Sequence, residues 1–445
     1  MLIYQLWIPP ITGIADNGDF ARLFAPFGLE HASPQPADRY FDYVAVRYRQ
    51  VRPPDLWAAF ASFRSSETIP IALALALNTL ASKTGEFDIR LMGTVHACLF
   101  LLLILLFEPL LPANPRWLRW LLSAAALFVF ADVAYVSYFN TFYSEPAVFL
   151  SLLGLIGFFL HALRAAVPPR WVIAGLVACA CLFVTSKSQI AISAPLVAAL
   201  VWFVLRKSGP VRYAAPGAVV VLALCSLWFY PTQYRKVNLF MTVFGGVVPE
   251  SGDPKNDLAA LGLEPSMVSY QNTAVWSPEV NIEGPYLEEH LFQRTSYARV
   301  VWFYVTRPSR MAALISRGIQ ESFHLNSKVF GQLEKFPGVE PKQKNRAFAI
   351  WSGLREWLQP FWPWVAILVC AIFAALVWST ASLPLRCLQF FLGVLAVSQL
   401  FIAVIGEGPA DLSKHLFVFN VCLDVLLFWA FAAGLNASLR YNKRK

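Results

Sequence analysis

Charged residues are scarce in this chain. They make up 14% of its 445 positions, against 57% hydrophobic and 15% aromatic residues. A soluble domain carries about 25% charged residues, so that class is excluded. No run of about ten residues alternates apolar with polar between turns, which excludes a transmembrane β-barrel. There is no Gly-rich loop leading into Lys-Ser or Lys-Thr and no dinucleotide fingerprint, so no soluble nucleotide-sugar domain is expected. The six histidines show no metal-ligand spacing. No basic and aromatic groove suggests nucleic acid as a partner. Cysteine is missing from the polar loops, which rules out disulfides there. Cys98, Cys179, Cys181, Cys225, Cys370, Cys387 and Cys422 all fall in or beside apolar runs, where free cysteine acts as small buried filler.

Long apolar runs are what the chain does have, at 97–107, 145–163, 190–205, 214–230, 362–378 and 416–434. Several approach the roughly 20 residues that cross a bilayer as a helix. The fold class expected is an all-α polytopic membrane protein, a bundle of about 9–10 transmembrane helices with juxtamembrane helices in its outer loops. Spans are expected near 88–110, 117–138, 145–163, 171–186, 190–206, 213–231, 361–379, 385–406 and 415–437. Much of the net charge of +9 sits in short connections: Arg116 and Arg119, Arg164 and Arg170, Arg206, Lys207 and Arg212, and the tail Arg440, Lys443, Arg444 and Lys445. Lys and Arg mark cytoplasmic loops, so these lie inside a plasma (bacterial inner) membrane with the C-terminus cytoplasmic. Segments 10–87, 138–145, 186–190, 232–360 and 407–414 then lie outside.

This threading divides the chain into a first outer loop (1–87), a helical block (88–231), a large outer loop (232–360) and C-terminal spans with a basic tail (361–445). Residues 67–83 are apolar enough to tempt a span reading, but a crossing there would reverse everything upstream. They read as a helix on, or dipping into, the outer surface. Met1 to Pro10 is too short to cross and lacks the features of a signal peptide, so a first span is expected to begin upstream of Met1. An amphipathic, juxtamembrane helix is expected around 294–323.

Four polar clusters share the outer side: Asp16-Asn17-Gly18-Asp19, Tyr143-Ser144-Glu145-Pro146, Ser186-Lys187-Ser188-Gln189 and Asp411-Leu412-Ser413-Lys414-His415. Asp-Asn-Gly-Asp is also an ordinary loop turn. At the lip of a bundle, however, a partly desolvated carboxylate can take a proton from a sugar hydroxyl. Asp16 and Asp19 are both catalytic candidates, Asp19 the better, with Asn17 and Gly18 letting the backbone turn. Glu145 is a third candidate. Ser144 can cap the helix it opens and Pro146 suits the first turn, and an acid there also has a purely structural use through the helix dipole. Lys187, Gln189, Lys414 and His415 suit a phosphate, although lysines at span ends also snorkel to the interface. Asp411 is a supporting residue. His96, Asp132 and Asp424 lie inside spans, where ionisable groups are costly. They either extend the site downward, pair with one another, or relay protons; a supporting role is favoured for all three, Asp132 among them.

At these residues the chain resembles the GT-C superfamily of integral-membrane glycosyltransferases. The likeness rests on Asp16-Asn17-Gly18-Asp19 in the first outer loop, then Ser144-Glu145-Pro146, Lys187-Ser188-Gln189 and Lys414-His415 at later outer boundaries. A central outer loop with Phe244-Gly245-Gly246, Asp253-Pro254 and Asp257-Leu258 adds to it. The chain departs from the pattern in lacking a complete first span and a large C-terminal outer domain. The resemblance implies a polyprenyl-phosphate sugar donor, a glycan or lipid-linked acceptor, and transfer with inversion on the outer face among membrane lipids. Asp19 is then the general base, and Lys187, Lys414 and His415 meet the leaving phosphate. No cofactor is called for; a divalent ion between Asp19 and Glu145 has no ligand spacing behind it. Two rival readings remain. A lipid-linked glycan flippase would hold its polar residues near the midplane, around broken helices. A polysaccharide polymerase or ligase using a lipid diphosphate would use an arginine-rich outer loop such as Arg47, Arg49, Arg52 and Arg64.

Overall fold

The computed structural model describes residues 1–55, 57, 65–81, 85–112, 115–406 and 411–442. Six helices among them are long and apolar enough to cross a membrane: Arg90–Leu110, Glu145–Ala162, Val211–Trp228, Ile350–Ser379, Leu383–Gly406 and Phe417–Leu439. The protein is thus a polytopic helical membrane protein. The helix Glu145–Ala162 sits at the centre, with 83% of its apolar window buried, whereas 6% of the Ile350–Ser379 window is buried. An apolar helix needs no polar face in lipid, so burial here reports position in the bundle. Close approach to the central helix relies on two glycines. A Cβ at Gly154 would lie 2.6 Å from Cys179 Sγ, and one at Gly157 would lie 2.7 Å from Leu106. Cys179 is therefore filler, as expected. Cys98 and Cys370 are exposed instead, on the bundle's outer surface, while Cys422 is buried.

Three expected spans differ in form. The one expected at 117–138 breaks at Asp132, where Arg116–Phe130 and Val133–Asn140 meet with a 52° bend. The cause is Asp132 itself, whose carboxylate accepts the Ala134 N–H at 2.9 Å and starts a new helix. The spans expected at 171–186 and 190–206 are shorter helices, Arg170–Val184 and Ala194–Leu205. A turn over Ser188–Ala191 and Pro195 in the first turn of the latter delay its start. The expected amphipathic helix around 294–323 is two helices, Tyr297–Val305 and Pro308–Ser322, because Pro308 cannot continue the first. The apolar stretch expected at the outer surface forms the helix Thr68–Ala81, with Ile71 and Ala74 buried and Ile69, Leu73 and Leu77 exposed.

The loop-bearing end of the bundle is more ordered than the sequence suggests. β1 (Leu29–His31), β2 (Arg47–Gln50) and β3 (Glu86–Asp88) form an antiparallel sheet in that order. Its inner face carries Leu29, His31, Tyr48 and Phe87, and Glu30, Arg47, Arg49 and Glu86 point outward. This alternation is too short to be seen above the surrounding loop. Residues 239–314 build a second apolar core, including Phe244, Leu258, Met267, Leu291 and Phe303, that packs on Leu400, Val404 and Leu416. The large loop is thereby seated beside the turn holding Lys414.

Candidate active site

The Asp16–Asp19 segment is a tight turn built by its first carboxylate. Asp16 Oδ1 accepts the N–H groups of Gly18 (2.7 Å) and Phe20 (3.1 Å), and Oδ2 lies 3.1 Å from the His31 ring. Gly18 supplies the positive φ of 97° that the turn needs. Asp16 is 1% exposed and has no free face toward a substrate. Its catalytic candidacy is corrected: it shapes the turn. Asn17 Oδ1 accepts the Asp19 N–H at 3.1 Å, and the Asn17 N–H donates to the Tyr143 hydroxyl at 3.2 Å. The outcome is that Asp19 alone points away from the turn, with 26% of its side chain exposed.

Asp19 meets two cations. Its Oδ2 lies 2.9 Å from Lys414 Nζ and its Oδ1 lies 2.8 Å from Arg22. Lys414 is buried, 3.6 Å from Asp411 and 4.3 Å above the Tyr143 ring. A second pair, Lys187 and Glu145, closes at 3.0 Å with a fifth of the Lys187 side chain exposed. The two pairs belong to one field. Burial pushes the Asp19 carboxyl up, but the charges of Lys414, Arg22 and Lys187 outweigh it and hold Asp19 well below the usual carboxylate range. Burial likewise presses Lys414 down, and Asp19, Asp411 and Glu145 outweigh that and raise it. Asp411 behaves differently. Burial raises its carboxyl despite the charges of Lys414 and His415 and a hydrogen bond from the Ser327 side chain. Asp411 also sits at a positive φ of 51°.

A second layer holds these groups in place. The Ser65 hydroxyl donates to the Ser186 carbonyl at 2.6 Å and lies 3.2 Å from the Ser144 hydroxyl, tying the Glu145 and Lys187 segments together. Ser144 makes no cap on its own helix. The cap expected from it comes from Glu67, which accepts the Ala147 N–H at 3.0 Å and meets the His96 ring at 2.8 Å. Ser65 and Glu67 were not singled out by sequence reasoning. The only signal was polar residues opening an otherwise apolar stretch. Gln189 donates to the His415 carbonyl at 3.1 Å, so it is a strut between two site segments, not a phosphate ligand. The His415 side chain is buried beside this strut.

Asp132 and Asp424 form a separate network. Asp132 also accepts the N–H groups of Trp351 (2.9 Å) and Ser352 (3.0 Å). Asp424 takes the Tyr135 hydroxyl (2.5 Å), the Trp351 ring N–H (2.8 Å) and Arg355 (2.8 Å). The supporting role expected of Asp132 is thus corrected: it anchors the helix Ile350–Leu358 and does not join the Asp19 cluster. Arg47 and Arg49 pair with Glu86 and Glu30 on the sheet's outward face, and Arg52 donates to the Ala25 carbonyl. Arg64 lies outside the described residues. Among the described residues, no group of three or more His, Cys, Asp or Glu side chains is disposed to hold a metal ion. Asp19 and Glu145 each face an ammonium instead.

A family model described as the YfdI N-terminal transmembrane domain matches residues 1–445. The chain belongs to this family. No curated protein and no solved structure matches it. Membership agrees with the helical bundle described above and extends over its loop-bearing end, where the ion pairs of Asp19 and Lys187 lie.

Proposed function

We propose that this protein is a membrane glycosyltransferase of the GT-C type, moving a sugar from a polyprenyl-phosphate donor to a glycan or lipid-linked acceptor with inversion. One observation carries the reading. A carboxylate from the first loop and an ammonium 395 positions later meet at 2.9 Å, beside a second acid–ammonium pair, at a partly exposed rim of an apolar bundle. Such a rim suits a substrate with an anionic head and a lipid tail. In this reading the rim lies on the outer face of a plasma (bacterial inner) membrane with the C-terminus in the cytoplasm, which the distribution of Lys and Arg in the short loops supports.

The ion pairs suggest the order of events. While Lys414 neutralises Asp19, that carboxylate is a poor base. A donor phosphate competes for Lys414 and Lys187, and as it takes their charge the base strength of Asp19 rises. Asp19 then accepts the acceptor hydroxyl's proton as that oxygen bonds to the anomeric carbon. The carbon–oxygen bond to phosphate breaks, its electron pair leaves on the phosphate, and the lysines stabilise the product. One such charge-stabilising donor contributes about 10²–10³-fold.

The test is transfer from radiolabelled polyprenyl-phosphate hexose to crude cell-surface acceptor. Asp19→Asn is expected to bind the donor and lose transfer by orders of magnitude, and Lys414→Met to weaken donor binding and transfer together. Wild-type transfer rates in Asp19→Asn would remove it as the base. Unchanged donor binding in Lys414→Met would remove the phosphate role.

A further inference from the structure

A cavity of about 260 Å³ opens behind the Asp16 turn, between the β1–β2 connection and the segment around Glu334. It lies just below the roughly 300–1,000 Å³ typical of small-molecule pockets, so it suits a single sugar-sized unit. Its polar wall comprises Ser33, Asp38, Tyr43, Arg47, Glu334 and Lys335 over a floor that includes Val44 and Val46. The wall carries two acids and two bases, whose charges are largely paired: Asp38 is held by Lys335 at 2.8 Å and the Ser33 hydroxyl at 3.1 Å, and Arg47 pairs with Glu86 at 2.8 Å on the sheet's outward face. A phosphate pocket would carry surplus positive charge and a cation pocket surplus negative charge. This wall has neither surplus. A set of donors and acceptors whose charges are largely paired, with one half-buried tyrosine ring, matches a neutral polyol, whose hydroxyls take hydrogen bonds and whose apolar ring face lies on an aromatic.

The cavity is joined to the reaction centre. His31 lines it and touches the Asp16 carboxylate at 3.1 Å. The Phe41 N–H donates to the Asp16 carbonyl at 2.9 Å. The Phe41 ring packs on Phe330 at 6.0 Å, and the Phe330 ring in turn lies 6.0 Å from Lys414 Nζ. His31 and the Asp16 turn thus link the cavity wall to the segment that carries Asp19. We propose that this cavity is an acceptor subsite that binds a neutral sugar unit of a glycan chain, one that neighbours the unit being glycosylated. This rests on the glycosyltransferase reading and gives its acceptor a chemical class: an uncharged oligosaccharide.

The full chain in nanodiscs would be tested on an array of neutral oligosaccharides, with phosphorylated sugars on the same array. Retention of neutral oligosaccharides by the wild type is expected, with Tyr43→Ala and Glu334→Gln each weakening it by about tenfold, the usual cost of losing one strong contact. Gel filtration and melting temperature would verify that both cavity variants are folded. Failure of the wild type to retain any neutral oligosaccharide, preference for the phosphorylated set, or equal retention by both cavity variants would overturn the proposal. Crosslinking of a photoreactive polyprenyl phosphate, lost in Lys414→Met, reads the donor site separately, so the cavity and the transferase reading can fail independently.

Discussion

An ammonium buried as deeply as that of Lys414 stays charged only when nearby carboxylates outweigh the loss of water. Asp19, Asp411 and Glu145 do that for Lys414. Lys344 has less help. Its ammonium donates to the carbonyls of Ser327 and Phe330, and burial pushes it down from 10.5 to about 8, against the more distant attraction of Asp411. Below pH 8 the folded and unfolded chains both carry this proton, and the folded state bears the cost of burying the charge. Between pH 8 and 10.5 the unfolded chain binds more protons, so stability rises with pH there. Melting temperature is expected to climb across that window in the wild type and to climb less in Lys344→Met. Equal slopes would show that the ammonium is not buried at a cost.

At the scale of elements, the helix Ile350–Leu358 is docked by charge and not by propensity. Asp132 receives its first N–H groups, and Arg355 reaches Asp424 and the Asn420 side chain at 2.8 and 2.7 Å. Removing Arg355 would leave Asp424 as a buried uncompensated charge, a loss of about 3–5 kcal/mol. Asp132→Ala would orphan several buried N–H groups at about 1–3 kcal/mol each. Arg355→Met and Asp132→Ala should therefore both lower the denaturation midpoint in mild detergent, and Arg355→Met with Asp424→Leu should recover part of the loss. A double variant no better than the single would break this account. The same logic applies to Glu67, which caps the central helix from another segment. No local pattern announces that kind of cap, and Ser144, sitting at the helix start, was the natural expectation.

At the scale of the whole molecule, the basic short loops are what support the proposed orientation. Lys207→Cys and Gly252→Cys place thiols at two exposed positions in different loops, and a Cβ at Gly252 meets nothing within 4 Å. A membrane-impermeant maleimide applied to intact cells is expected to label the second and to reach the first only after permeabilisation. The reverse result would invert the orientation and the side assigned to Asp19.

The sequence by itself determined the class and most of the spans, because lipid demands long apolar helices and tolerates almost nothing else. It also marked Asp19, Glu145, Lys187 and Lys414 as out of place in such a chain. Which of those groups meet was left to tertiary structure. Asp16 and Asp19 have identical side chains three positions apart, yet one is consumed by the turn's own N–H groups and a histidine while the other faces Lys414. Asp132 and Asp411 are equally conspicuous in sequence, and only Asp411 joins the cluster. The reason is physical: burial, pairing and field depend on partners up to 395 positions away, and no local pattern records them.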